Sequence, residues 1–245
     1  TTDSIDVACF GDATGIASVL AQGGTGTYSF LWDTNANDQT GDVATDLLTG
    51  TYSVTVTDEN NCEFVAVAEV LDHPLIELQT TSDSTNCLGS TDGSATVTVV
   101  GGVSDYTYEW FAVNNPNIVA TDATASALTG GDYLVEVTDA LGCLDTAYIE
   151  VLSPDDISFQ VESTPVQCFG GDDGIITIDV TGGTSPYQYT WSDGGNPADI
   201  RNDLTEGSYT ITVTDGNDCE LEITSLVETP TPIEAQFTLT DPNCF

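Results

Sequence analysis

The sequence is almost without positive charge. Lysine and arginine together occur once, at Arg201, against 40 aspartates and glutamates in 245 residues, a formal net charge of -39. Such a surface repels phosphate backbones and anionic headgroups, so nucleic acid and direct membrane insertion are excluded as partners. With no lysine, Lys–Asn isopeptide cross-links are excluded too. The one histidine, His73, stands beside Pro74 in a proline-marked linker with no nucleophile near it in sequence, and it reads as a surface residue. No apolar run approaches the ~18 residues of a membrane-crossing helix, and no stretch has a helical period. Gly23-Gly24 and its counterparts lack the following helix that a dinucleotide site requires. With no metal triad, phosphate loop or dinucleotide site, the chain is expected not to be an enzyme.

What is present is order within the acid. Hydrophobic residues make up 40% of the chain and recur in alternation, which separates it from acidic disordered segments. Seven cysteines with no Cys-x-x-Cys pair point to disulfides in an oxidising compartment, hence an extracellular location. Cys9-Phe10-Gly11, Cys87-Leu88-Gly89, Cys168-Phe169-Gly170 and Cys244-Phe245 open successive copies of one repeat, 78, 81 and 76 residues apart.

Each copy passes the same landmarks. An alternating segment ends in Gly23-Gly24, Gly101-Gly102 or Gly182-Gly183, as a strand reaching a sharp turn would. A second strand puts Tyr28, Phe30 and Trp32, or the counterparts leading to Trp110 and Trp191, on one face. A Leu-x-x-Gly-x-Tyr start, with one extra residue expected in copies two and three, then enters a long strand ending at Asp58, Asp139 or Asp215. It resembles the tyrosine corner of immunoglobulin-like sandwiches and predicts that Tyr52, Tyr133 and Tyr209 bond upstream backbone. About seven short strands per copy predict an all-β chain of tandem Ig-like or fibronectin-like β-sandwich repeats in an extended array. The boundaries fall at prolines: 1–74, lacking its first strand, 75–154, 155–230, and 231–245 as the first strand and opening cysteine of a fourth repeat. The chain reads as a window from a longer array; a sharper reading is that subunits trade the Ile233–Thr240 strand by β-strand addition.

Three pairings fit the cysteines. Within a repeat, Cys9–Cys62, Cys87–Cys143 and Cys168–Cys219 close loops of about 50 residues, each adding roughly 4 kcal/mol on the chain-entropy model, and this is the leading expectation. Across a linker, Cys62–Cys87, Cys143–Cys168 and Cys219–Cys244 are each 25 residues apart. Head to tail, Cys9 joins Cys143 and Cys87 joins Cys219, because the loops that carry them lie at opposite ends of a sandwich. Cys244 pairs outside the window or with Cys219.

Together, Cys-x-Gly, Gly-Gly, Tyr-x-Tyr-x-Trp, Leu-x-x-Gly-x-Tyr and Val-Thr-Asp-x-x-x-Cys resemble the SprB-type repeat of large adhesins of gliding Bacteroidetes-like bacteria, over nearly the whole chain. The resemblance implies very long secreted proteins, exported by the type IX route and displayed on the cell surface for adhesion and gliding motility. Copy two departs from it with the longer middle segment FAVNNPNIVATD.

Acidic turns supply the one set of candidate ligand sites: Asp12, Asp92, Asp172 and Asp173 after the opening cysteine, and Asp58, Glu59, Asp139 and Asp215 after the long strand. Calcium takes six to eight such hard oxygens, although Asp-Gly and Thr-Asp are also ordinary turn formers, and no EF-type loop is present. Ser4, Ser84 and Thr146 lie in Asp-Ser/Thr-x triplets that resemble a short bacterial O-glycosylation signal. The expected role is the stalk or filament of a surface adhesin, whose partners are neighbouring repeats of the same chain or filament. The alternatives are repeats that themselves bind a glycan or protein ligand, and a filament subunit polymerising by strand exchange.

Overall fold

Alternation of β-branched and aromatic residues with small polar ones dominates the chain, and that period of two is what a half-buried strand needs. The computed structural model describes residues 1–239. It holds nineteen strands, one 3-10 turn at Thr34–Ala36 and, among the described residues, no α-helix. By contact the chain divides into two units. One comprises Thr1–Asp83 and Ser94–Val151; the other comprises Ser84–Gly93 and the chain from Leu152 on.

The first unit contains two sandwiches. In one, β1 (Thr2–Ile5), β2 (Gly15–Val19) and β4 (Val43–Leu47) form a sheet in the order β1-β2-β4. It faces a second sheet of β3 (Ser29–Trp32), β5 (Gly50–Thr57) and β6 (Glu63–Val70). All pairs are antiparallel, for example Trp32 opposite Val54. Inward residues of both sheets, among them Val7, Ala17, Trp32, Val54 and Val70, make one core. In the other sandwich, β7 (Glu77–Asp83), β8 (Gly93–Val100) and β11 (Thr124–Leu128) face β9 (Thr107–Ala112), β10 (Asn115–Ala120), β12 (Gly131–Thr138) and β13 (Leu144–Val151). Trp110, Val135 and Val151 centre its core.

The second unit carries one sandwich. Its sheets are β14 (Ser158–Thr164), β15 (Gly174–Thr181) and β17 (Ile200–Leu204) against β16 (Gln188–Trp191), β18 (Gly207–Thr214) and β19 (Glu220–Val227), around Trp191, Ile176 and Ile211. In every sandwich the residue two places before the opening cysteine is buried. Val7, Thr85 and Val166 donate their N–H groups to Leu71, Leu152 and Glu228, tying the segment after the first strand to the end of the last.

Each buried indole is satisfied: Trp32, Trp110 and Trp191 donate through Nε1 to the carbonyls of Gly41, Asp122 and Ala198 at 3.0, 2.9 and 3.0 Å. The tyrosine hydroxyls close the corner four residues back, Tyr52 to Leu48, Tyr133 to Thr129 and Tyr209 to Thr205. This geometry corrects the alignment of the motif. Leu47, Leu128 and Leu204 are the equivalent buried leucines, so Leu-x-x-Gly-x-Tyr has the same length in all three copies and no residue is inserted.

Three other expectations change. Repeat one does have a first strand, because Thr2–Ile5 pairs with Ile16–Val19 in the register that Thr80–Asp83 uses against Ser94–Val97. Residues 231–239 form no strand, since none of the described segments offers them a ladder, and Ile233, Phe237 and Leu239 are fully exposed. The opening Cys244 of the expected fourth repeat lies outside the described residues. The long middle segment of copy two folds back as β10, an added edge strand on β9 with irregular register. The other two sandwiches therefore have six strands and this one has seven.

Trp110→Ala should destabilise its sandwich by about 3–5 kcal/mol and Tyr133→Phe by about 1 kcal/mol, read as shifts in the urea midpoint. A smaller loss for the tryptophan than for the tyrosine would show that the indole is not the centre of the core.

Candidate functional site

At one end of each sandwich the Gly-Gly turn meets the loop that carries the closing cysteine. Both glycines have positive φ in all three copies, for instance +79° and +63° at Gly101 and Gly102. A tyrosine then folds back onto the turn: Tyr106 and Tyr187 donate to the carbonyls of Gly101 and Gly182, and Tyr28 to that of Gly23. The aspartate ending the long strand binds the two loops together. Asp139 accepts from the Leu141 and Cys143 N–H groups on one oxygen, both at 2.9 Å, and from Val103 N–H on the other at 3.0 Å. Asp215 accepts in the same way from Asn217, Cys219 and Thr184. Asp58 does so from Asn60, Cys62 and Thr25.

In two copies the linker isoleucine is seated in this end. Ile76 and Ile157 are 6% and 5% exposed. Ahead of each, the linker carbonyls of Pro74 and Asp155 accept from Gly102 and Gly183 N–H, both at 3.1 Å. The linker backbone runs so close that a Cβ on Gly101 would overlap the Leu75 carbonyl oxygen, and one on Gly182 that of Asp156. At Gly23 the space is open for 4 Å, and a cleft of 370 Å³ lies there, bordered by Gly24, Tyr28, Val56, Asp58, Cys62 and Phe64.

The cysteines follow from this arrangement. Cys9 is bonded to Cys143 within the first unit and Cys87 to Cys219 within the second, with Cα–Cα distances of 5.6 and 5.7 Å. The within-repeat pairing is thereby overturned. The opening cysteine follows the first strand and the closing one precedes the last, at opposite ends of one sandwich, so each reaches only a neighbouring repeat. Pairing of Cys244 with Cys219 is excluded for the same reason, since Cys219 is occupied by Cys87. Cys62 and Cys168 are exposed and carry no disulfide among the described residues.

The family model described as the SprB repeat matches the sequence three times, over residues 1–37, 79–115 and 161–196, each match running from the first strand past the buried tryptophan. The chain carries SprB-type repeats. No curated protein matches. Similar solved structures include the N-terminal eight Ig domains of Down Syndrome Cell Adhesion Molecule isoform 1.30.30, 12% identical, covering 83% of this chain and 33% of that one, TM-score 0.42. The insect immune protein hemolin is 14% identical over 76% of this chain and 57% of its own, TM-score 0.33. DIP-gamma IG1+IG2 is 12% identical over 63% and 97%, TM-score 0.34. The chain thus spans about a third of the first of these.

The candidate calcium ligands do not converge: among the described residues no three His, Cys, Asp or Glu side chains are placed to hold a metal ion. In the SprB repeats Asp58, Asp139 and Asp215 have both oxygens engaged by backbone N–H groups, which fixes them as loop anchors. Asp92 accepts from Asn86 and Ser90, and Asp173 from Gln167, inside their own turns. Asp12, Glu59 and Asp172 are exposed. Of the glycosylation candidates, Ser84 and Thr146 are exposed and Ser4 is half-buried in β1.

Arg201 was not singled out by sequence reasoning. It points inward from β17 at the position that Ala44 and Ala125 hold in the other SprB repeats, and is 7% exposed. It lies 5.1 Å over the Trp191 ring and bonds Asp193 through Nη1 at 2.8 Å and Asp203 through Nε at 3.2 Å. Its signal was the inward phase of the Ile-Arg-Asn-Asp-Leu strand.

Burial pushes the Asp139 and Asp215 carboxyls up, but the N–H donors of Val103, Cys143 and Leu141, and of Thr184, Cys219 and Asn217, outweigh it and hold both below the usual range. For Asp58 the Cys62 N–H is the largest influence and the net direction is the same. A depressed native value stabilises the fold above an unfolded-state value of about 3.9, and that contribution is lost as pH falls through the native values below it. Stability should therefore drop below about pH 4, and Asp139→Asn should flatten that acid limb while lowering stability at neutral pH by about 1–3 kcal/mol, because its amide nitrogen faces an N–H donor. Urea titrations across pH check this; an unchanged acid limb in the variant would assign the loss to other groups.

Proposed function

We propose that these SprB repeats form a load-bearing extracellular segment of a bacterial surface adhesin, a stalk or filament that serves attachment or gliding and performs no catalysis of its own. One observation carries the reading: consecutive repeats are covalently stitched by overlapping disulfides, Cys9–Cys143 and Cys87–Cys219, 134 and 132 residues apart in sequence. A ligand-binding module or an enzyme needs no such stitching, whereas a chain pulled from its ends does. With the bonds intact, the shortest covalent path bypasses residues 10–86 and 144–218, so tension cannot draw those out even if every sandwich unfolds. The charge of -39 supports the same role, since like-charged repeats repel and stay soluble. Disulfides of this kind support an oxidising, extracellular setting for the segment. Among the described residues no helix is long and apolar enough to cross a membrane.

Pulling the chain by its ends in a force instrument tests this. The shortest covalent path runs from Thr1 to Cys9, across to Cys143, back to Cys87, across to Cys219 and on to Phe245, roughly 90 residues, so at about 3.5 Å per residue the oxidised chain should reach about 300 Å. After reduction it should reach about 850 Å. Equal lengths before and after reduction would remove the mechanical reading.

A further inference from the structure

We infer that the outer face of the second SprB repeat docks a cationic, apolar-centred segment of another protein, a surface that the first and third repeats do not carry. The inference goes beyond the load-bearing reading and does not depend on it.

Antiparallel register sets four apolar side chains in one row across the solvent face of the β10-β9-β12-β13 sheet: Ile118 opposite Phe111, Phe111 opposite Leu134, and Leu134 opposite Tyr148. At a strand spacing of about 4.8 Å the row is about 14 Å long. Tyr148 is 71% exposed and Ile118 49%. A cleft of 460 Å³ lies beside the row, bordered by Phe111, Val113, Asn115, Pro116, Leu134 and Tyr148.

The other repeats hold polar groups at these places. The residue after the tryptophan, the residue after the corner tyrosine and its partner on the last strand are Asp33, Ser53 and Val67 in repeat one, and Ser192, Thr210 and Thr224 in repeat three. Their polar atoms satisfy one another: Ser53 donates to Asp33 at 2.9 Å, Thr210 N–H donates to Ser192 Oγ at 3.1 Å, and the Thr210 and Thr224 hydroxyls share a bond of 3.1 Å. Repeat two replaces these groups with apolar side chains left to water, which marks a surface kept for a partner.

Charge selects the partner. Glu109 and Glu136 stand opposite each other on one side of the row, and Asp132 and Glu150 on the other, each about 7 Å away along the strands. The chain has no cation to spare for them, because Arg201 is committed to Asp193 and Asp203. A second copy would bring the same charge of -39, and anionic ligands are repelled. A neutral glycan gains little from Leu134 and Ile118, which offer no ring face to stack on. A basic polypeptide meets an apolar centre, the Phe111 and Tyr148 rings for its cations, and carboxylates on both flanks. It approaches over the face, since Pro116 and the irregular register of β10 make that edge a poor template for strand addition.

The test titrates the full, isotopically labelled chain with a synthetic peptide of alternating lysine and leucine. NMR shifts should be confined to β9, β10, β12 and β13. Leu134→Thr and Tyr148→Thr, which install the residue that repeat three carries at both places and keep a strand former, should each weaken binding at least about tenfold. A lysine–serine peptide of equal charge should bind at least about tenfold more weakly than the lysine–leucine one. Raising salt from about 0.01 to about 1 M, which shortens the Debye length from about 30 to about 3 Å, should cost a further tenfold or so, and Glu136→Gln should weaken binding with the melting temperature unchanged. The proposal is overturned by shifts spread over all three repeats, by threonine variants that bind as well as their parent, by neutral oligosaccharides that move the same signals when the peptide does not, or by a dimer of the chain that Leu134→Thr abolishes. Any of these would leave the force measurement, and the reading it tests, unaffected.

Discussion

A sandwich places the loop after its first strand and the loop before its last strand at opposite ends, and it is too rigid to bring them together. That constraint governs the rest of the molecule. Cys9 and Cys62 cannot meet, nor Cys87 and Cys143, so each cysteine is available only to a neighbour. Bridging loops of more than 130 residues, each disulfide removes more unfolded-state entropy than a within-repeat bridge would, about 5 kcal/mol on the chain-entropy model. Because the two loops overlap, the unfolded chain is constrained from Cys9 through Cys219.

The linker isoleucine is the packing counterpart of this covalent order. Ile76 and Ile157 begin the first strand of one repeat and plug that repeat's Gly-Gly end, and the carbonyls ahead of them satisfy turn N–H groups that would otherwise lack a backbone partner. Glycine is required because the linker backbone crosses where a side chain would stand. An apolar anchor, a backbone hydrogen bond and a disulfide thus meet at one place.

Acid serves two purposes that burial separates. Most carboxylates are exposed and repel one another, an effect that salt screens over a Debye length of about 8 Å at physiological ionic strength. Asp139 and Asp215 are buried, and three N–H donors each compensate their loss of water. The one cation, Arg201, is likewise spent inside its own repeat, against Trp191, Asp193 and Asp203. No other lysine or arginine side chain exists to draw the repeats onto one another's acid.

The parts legible from sequence were those set by short-range pattern. Strict alternation ending in Trp32, Trp110 and Trp191 specifies a strand with one buried face, since a slip of one residue would expose the indole, and the tyrosine corner is a contact four residues long. Turn aspartates were visible as residues but not as anchors, because the N–H groups that bind Asp139 come partly from Val103, 36 positions away. The fold-back of β10 and the inward turn of Arg201 depended on neighbours in space. Alone, the sequence determined repeat count, strand phase and the acidic, disulfide-bearing surface, which follow from local spacing and composition. Only the tertiary structure decided which cysteines pair and which carboxylates are engaged, because those depend on which loops come within bonding distance.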